Sequence, residues 1–348
     1  MIIKVMKVLS IIIGGFLFTL FTTAWSVLGI RKLMSSRTFD DVDDKPAVVV
    51  SVSDVRASEP QPKAFSKTLF RTLKSFAWIS GISTVVQLKN SPSSQFTKLL
   101  QSSFLLFVTL SSFVFGANLP ISFTKVVHPL VTCTGLTWLA AKLLSSLTGS
   151  TFLHILRSYK SGTLSPLSAG AADVLLFLLG PAVVALACQM YGRKKLMREN
   201  MSEVAASTMV ASFGGLYGTA SAVRLLGIAN PAIRLSLLSR NITSPLAMAI
   251  ASILGADVSL AVTIVVLTGL FGANFGASIL DAAGIKDAVA RGLGIGAAAH
   301  GLGTAAFANE KDAFPFAAIS MALTASACTV LVSLPWVKKS VLSLALGV

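Results

Sequence analysis

The chain has 348 residues, a formal net charge of +15 and a mean hydropathy of +0.78. Hydrophobic residues make up 54% and charged residues 12%, which is about half the charged share of an ordinary soluble domain. Several separate apolar runs approach the roughly 20 residues that cross a bilayer as helix. The composition therefore excludes a plain soluble enzyme and predicts an all-α polytopic membrane protein.

The basic balance does not point to nucleic acid. The positive residues stand at the ends of apolar runs: Arg31 with Lys32, Arg193 to Lys195 with Arg198, and Lys338 with Lys339. Such ends are expected of positive-inside flanks and of side chains that snorkel to the lipid surface.

Val8 to Ile30 is the first apolar run. It is too long for the core of a signal peptide and has no evident small-residue cleavage site. No transit-peptide pattern precedes it, so residues 1–34 read as a transmembrane helix. Residues 35–67 read as a charged, solvated linker. They hold six of the fourteen acids (Asp40, Asp41, Asp43, Asp44, Asp54, Glu59) and the helix breakers Pro46, Pro60 and Pro62. The acidic cluster there lacks the glycine and the ligand spacing of a calcium loop. Residues 68–348 read as the main membrane domain.

Within it, Phe76 to Leu88 is short and bracketed by Lys74 and Lys89, which fits a tilted span or an interfacial helix. Leu99 to Leu119 and His128 to Leu147 read as spans. Lys142 inside the second can line a cavity or snorkel. Thr151 to Tyr159 reads as an amphipathic connector, with His154 at the interface. Ala171 to Tyr191 is a span with Gly180-Pro181 near its centre, and Val204 to Leu226 follows. Asn230 to Gly255 is too polar for a plain span and fits a broken or re-entrant helix. Val258 to Leu280, Val289 to Phe307 and Phe314 to Leu334 bring the expectation to about eight to ten membrane segments, discontinuous or re-entrant ones included.

Two short stretches echo each other. Gly180-Pro181 and Ser244-Pro245 each place a small residue and a proline before an Ala-rich run. Paired interruptions of this kind point to a transporter's central site. The glycine pairs Gly272/Gly276, Gly292/Gly296 and Gly214/Gly218 are spaced four apart, as at close helix contacts. Cys133, Cys188 and Cys328 fit no metal motif and read as packing residues.

The stretch from Arg291 to Glu310 contains one ionisable group between its ends, His300, followed by Gly301 and Gly303. An ionisable residue among membrane spans is a candidate functional residue. The nucleophile, base and orienter that a hydrolase needs do not appear together, so no enzyme is expected. No cofactor or metal is expected either.

Binding of a small anion is the better fit. A helix start at Thr243, Ser244 and Pro245 offers free N–H groups and a positive dipole end to a carboxylate. A second such start can lie at Gly301 to Thr304. Arg240 can add a charge-assisted pair or sit at the lipid headgroups. Asn241, Thr243, Ser244, Asn274 and Thr304 offer amide and hydroxyl groups. The predicted substrate-binding set is therefore Gly180, Pro181, Arg240, Asn241, Thr243, Ser244, Pro245, Asn274, His300, Gly301, Gly303 and Thr304. His300 can change protonation near neutral pH or simply bond a backbone carbonyl.

SRNITSPLAMAIA, VVLTGLFGANFG, AVARGLGIGAAAHGLGTAAFA and LGPAVVALACQMYGRKKL together resemble the LrgB/CidB membrane-protein family. Its plastidial branch, the glycolate/glycerate translocators, is the nearer match in HGLGTAA, TGLFGANF and KVVHPLVTC. The resemblance covers roughly Phe76 to Leu344. Plastidial members carry an LrgA-like half in front, of which residues 1–34 look like the last helix.

The resemblance implies a secondary transporter of small 2-hydroxycarboxylates, glycolate and glycerate, in the plastid inner envelope. Small monocarboxylate anions and the bilayer would be its partners, with possible proton coupling and a possible homo-oligomer. The bacterial relatives imply two alternatives, a holin/antiholin-like regulator of murein hydrolase export and a pyruvate carrier.

Overall fold

A computed structural model describes residues 2–37, 65–91, 94–124, 127–163, 165 and 167–347, and every regular element among them is helical. Most of the linker read at 35–67 lies outside these residues. Helix α1 (Ile2–Arg37) is unbroken over 36 residues. Phe16, Thr19, Leu20, Thr23, Ala24 and Val27 recur at three- and four-residue spacing and are buried, while Phe18, Trp25 and Leu33 are exposed. One stripe thus packs on protein and the rest is apolar enough to face lipid.

The packing forms two units. One is Pro60–Ala185; the other joins Met1–Glu59 to Leu186–Val348. In the first, α2 (Lys67–Asn90), α3 (Gln95–Ala117) and α5 (Pro129–Thr148) pack together, with the short α4 (Ile121–Thr124) between the last two. Here α2 extends the short apolar run Phe76–Leu88 at both ends, and Phe76 stacks on Phe107 of α3. Lys142 is exposed, which fits snorkelling rather than a cavity lining. Helix α6 (Phe152–Tyr159) leads to a turn tied down by the buried Asp173. Its carboxylate accepts from the Ser161 hydroxyl (2.7 Å) and the Gly170 amide (2.9 Å).

The expected interruption near Pro181 is present. Helix α7 (Ala171–Phe177) stops at Leu178, and α8 (Leu179–Gly192) restarts with Pro181 in its first turn. A proline is tolerated there because that turn's N–H groups have no helical acceptor. Gly180, Pro181 and Cys188 are exposed, so Cys188 is not the buried packing residue the sequence led one to expect.

The second unit continues with α9 (Lys194–Glu199), α10 (Met201–Phe213) and α11 (Thr219–Leu225). The π-helical turn Gly214–Gly218 lies between the last two. Then come α12 (Pro231–Leu237), α13 (Ser244–Leu254), α14 (Val258–Ala282), α15 (Ala288–Ala306), α16 (Phe314–Ser333) and α17 (Pro335–Leu346). Between lipid and protein there is little hydrophobic drive for helices to associate, so close backbone approach has to hold them. The small residues supply it. A methyl on Gly292 or Gly296 would run into the backbone of Ala313 or Ala317 at the start of α16. A methyl on Gly272 would run into Ala299, and one on Gly276 into Ile295.

Among the described residues five helices are long and apolar enough to cross a bilayer: Val5–Met34, Gln95–Ala117, Pro129–Thr148, Val258–Ala282 and Phe314–Ser333. The remaining expected segments are α2, whose length includes charged ends, and the interrupted ones, α7–α8, α10–α11, α12–α13 and α15. Breaks and polar residues deprive them of an unbroken apolar stretch. The four tryptophans, Trp25, Trp78, Trp138 and Trp336, are all exposed, as side chains of a lipid-facing surface are.

Candidate functional site

α12 and α13 are two short helices joined by residues 238–243, and those six include Arg240 and Asn241. Asn230 caps α12 and Pro231 starts it; Thr243 precedes α13, and Pro245 lies in its first turn. The Ser236 hydroxyl donates to the Asp257 carbonyl (3.1 Å), just beyond the end of α13. This bond sets the end of α12 beside the start of α14. Leu237 to Asn241 and Ile242 are no more than 2% exposed. Irregular backbone at membrane depth requires such cover from protein.

The position of that joining stretch follows from α1. Lys7 donates to the Gly227 carbonyl at one end of α1, and Arg31 pairs with Glu203 and Asp287 at the other. Thr19 is midway between them, about 18 Å from each at a rise of 1.5 Å per residue. Arg240 donates from Nη2 to the Thr19 hydroxyl (2.9 Å) and from Nε to the Thr219 hydroxyl (3.1 Å). Its guanidinium therefore lies against the middle of α1. Arg240 is 1% exposed, which removes the headgroup placement, and its Nη1 is buried without a partner. Both of its partners are neutral hydroxyls. A buried cation so paired is costly unless an anion joins it.

Space for the guanidinium comes from Gly15, where an added Cβ would stand 2.8 Å from Nη2. The Asn241 amide fits against Gly215 of the π-helical turn in the same way, at 2.9 Å. Asn241 Nδ2 donates to the Ala297 carbonyl (3.2 Å), and its Oδ1 is buried without a partner.

Ala297 leads to the second break. His300 has φ 44° and ψ −140°, and among the described residues it alone takes a positive φ without being glycine. That conformation costs roughly 1–3 kcal/mol and persists only where its surroundings impose it. It divides α15 into residues 288–299 and 301–306. His300 is twelve residues past Ala288, again about 18 Å into the helix. The ring Nε2 lies 2.8 Å from the Val265 carbonyl, so this nitrogen carries the proton and donates. Gly269 leaves room for the ring; a Cβ there would be 2.6 Å from Nε2. The Thr304 hydroxyl donates back to the His300 carbonyl (2.8 Å).

The two breaks therefore meet through Asn241 and Ala297, and Arg240, Asn241, His300 and Thr304 belong to one buried region. Thr243, Ser244 and Pro245 are half-buried at the start of α13. The strained backbone is at His300, directly before Gly301 and Gly303. Gly303 is required, since its methyl would meet the Ala299 side chain, whereas Gly301 has only Met321 Sδ at 3.5 Å. Asn274 is about 200° round α14 from Gly272 at 100° per residue, so it is off the stripe that meets α15. Gly180 and Pro181 belong to the other unit. Arg291 is structural: it pairs with Glu310 (2.7 Å) and Asp281 (2.7 Å).

The sequence reading missed Gly15, Thr19, Gly215 and Thr219. Small and hydroxyl residues in an apolar run carry no charge or motif, and their meaning appears only opposite Arg240.

The model of the LrgB-like family matches residues 109–337. The chain belongs to the LrgB-like family. It is 34% identical over 342 residues to plastidal glycolate/glycerate translocator 1, chloroplastic, of Arabidopsis thaliana. That match covers 97% of this chain and 62% of the relative, so the chain spans about three fifths of the relative's length. It is also 30% identical over 156 residues to the holin-like protein CidB of Staphylococcus epidermidis, covering 44% of this chain and 68% of that protein. The uncharacterized protein YxaC of Bacillus subtilis matches at 32% over 149 residues, covering 42% and 64% of the two chains. No solved structure matches.

Proposed function

We propose that this LrgB-like chain is a secondary transporter of small 2-hydroxycarboxylate anions, glycolate or glycerate, in the plastid inner envelope. The observation that carries the reading is Arg240: a guanidinium against the middle of α1, buried, held by two threonine hydroxyls, with Nη1 unused. A carboxylate there would gain a charge-assisted hydrogen bond and relieve the buried charge. Asn241 Oδ1, an unused acceptor on the next residue, supports a ligand that also carries a donor, as a hydroxyl does and a 2-oxo group does not. The plant relative's name supports the same substrates and the plastid membrane.

The arginine is closed off from both sides, so the cycle needs a rearrangement that opens it to each side in turn. The His300 break and the irregular stretch between α12 and α13 are the backbone irregularities beside it. His300 positions this region through Val265, and no substrate contact is assigned to it.

Counterflow of labelled glycolate into liposomes loaded with unlabelled glycolate tests the reading. Glycolate should exchange and pyruvate compete poorly, and Arg240→Gln should raise the half-saturating concentration about tenfold, the size of one hydrogen bond to a charged group. Equal uptake by Arg240→Gln would end the proposal. The CidB relatives favour a holin-like pore as the second reading. A pore would release an entrapped dye such as carboxyfluorescein, and a carrier would retain it.

A further inference from the structure

We propose that α1 forms one wall of the anion site, with the Thr23 hydroxyl as a ligand for the transported carboxylate. The inference rests on the Arg240 site described above, and extends it to a helix that lies before the residues matched by the family model.

Three observations carry it. First, α1 already holds the guanidinium: Gly15 leaves it room, and Thr19 accepts from its Nη2 while donating to the Gly15 carbonyl (3.0 Å). Thr19 therefore spends its one proton on α1 and has none for a substrate. Second, Thr23 is four residues on, on the same face and one turn along. It is 0% exposed, and its hydroxyl has no partner. Threonines in helices usually donate to the carbonyl four residues back, as Thr19 does, and Thr22 donates to Phe18 in the same way. Thr23 does not. Its buried donor is left over on the stripe that touches Arg240.

Third, two further buried hydroxyls without partners belong to the same unit as α1: Ser212 on α10, itself in contact with α1, and Thr324 on α16, which packs against α10. Buried hydroxyls without partners are costly and rare. An anion at Arg240 Nη1 that also carries a second acceptor oxygen would satisfy the Thr23 hydroxyl on the neighbouring turn of α1. A carboxylate bridging Arg240 Nη1 and the Thr23 hydroxyl uses one oxygen on each.

The test is glycolate counterflow in liposomes with the full chain. Thr23→Val keeps the shape and removes the hydroxyl, and should raise the half-saturating glycolate concentration about tenfold. Thr23→Ser restores the donor and should stay within twofold of the parent. A parent-like value for Thr23→Val, with Arg240→Gln impaired, overturns the role of α1 and leaves the arginine site standing. Parent-like values for both variants overturn the site itself.

Thr23→Cys gives an independent readout. Glycolate should slow its reaction with an anionic methanethiosulfonate, measured against the parent's own cysteines. Labelling at the same rate with and without glycolate would overturn the proposal even if Thr23→Val failed to fold.

Discussion

His300 carries the strained backbone, and its ring explains what holds the strain. The Val265 carbonyl accepts from Nε2, and the ring fills the space left by Gly269. A glutamine can still donate an amide proton to Val265. His300→Gln is therefore expected to transport with the parent's pH profile, although less stable, because glutamine tolerates φ 44° less well than histidine does. Transport measured from pH 5.5 to 8 checks this. A flattened profile in the variant would assign the ring a protonation step and revive proton coupling through it. At this scale much was legible: Arg240, Asn241 and His300 were singled out because charged and amide groups are conspicuous in apolar sequence. Which atoms were left unpaired was not, since that depends on neighbours far away in the chain.

At the scale of elements, the kink in α15 decides which glycine matters. Beyond a reversal of φ the next turn folds back on the previous one, so Gly303 meets Ala299 although both are on the same helix. Gly303→Ala should lose glycolate exchange or fall by several degrees in melting temperature. Gly301→Ala should stay within twofold of the parent in exchange and within about a degree in melting temperature, since an ordinary contact costs little. If the two variants behave alike, the crowding at Gly303 is not what constrains the segment. The sequence marked both glycines equally, because spacing alone cannot tell which one faces the preceding turn. It marked the proline breaks correctly, because Pro181 and Pro245 dictate a restart wherever the chain runs.

For the whole molecule the main consequence concerns α1. Phe16, Leu20, Ala24 and Val27 are fully buried in the unit formed with residues 186–348. Thr19 holds Arg240 there, and Arg31 ties α1 to Glu203 and Asp287. Removing residues 1–37 would uncover that face and leave Arg240 with one hydroxyl partner. The truncated chain is expected to elute as aggregate in detergent and to show no glycolate exchange. A monodisperse truncated protein with the parent's exchange rate would show that α1 is dispensable. The same placement bears on the division at residues 34 and 67. α1 is separate along the chain, yet its buried stripe is shared with the family's own helices.

By itself, the sequence determined the class of this protein and the positions of its two proline breaks. Hydropathy, helix length and proline chemistry are local quantities, and a bilayer leaves few other choices for a chain so apolar. It also marked Arg240 and His300 as costly residues in need of an explanation. Only the tertiary structure decided what they were for. It brought Thr19, twelve residues from either charged end of α1, against an arginine more than two hundred positions later. It placed the Asn241 amide on the carbonyl of Ala297, beside the kink at His300. Such pairings come from how glycine-lined helices approach one another, and helix approach is set by the shapes of both partners together.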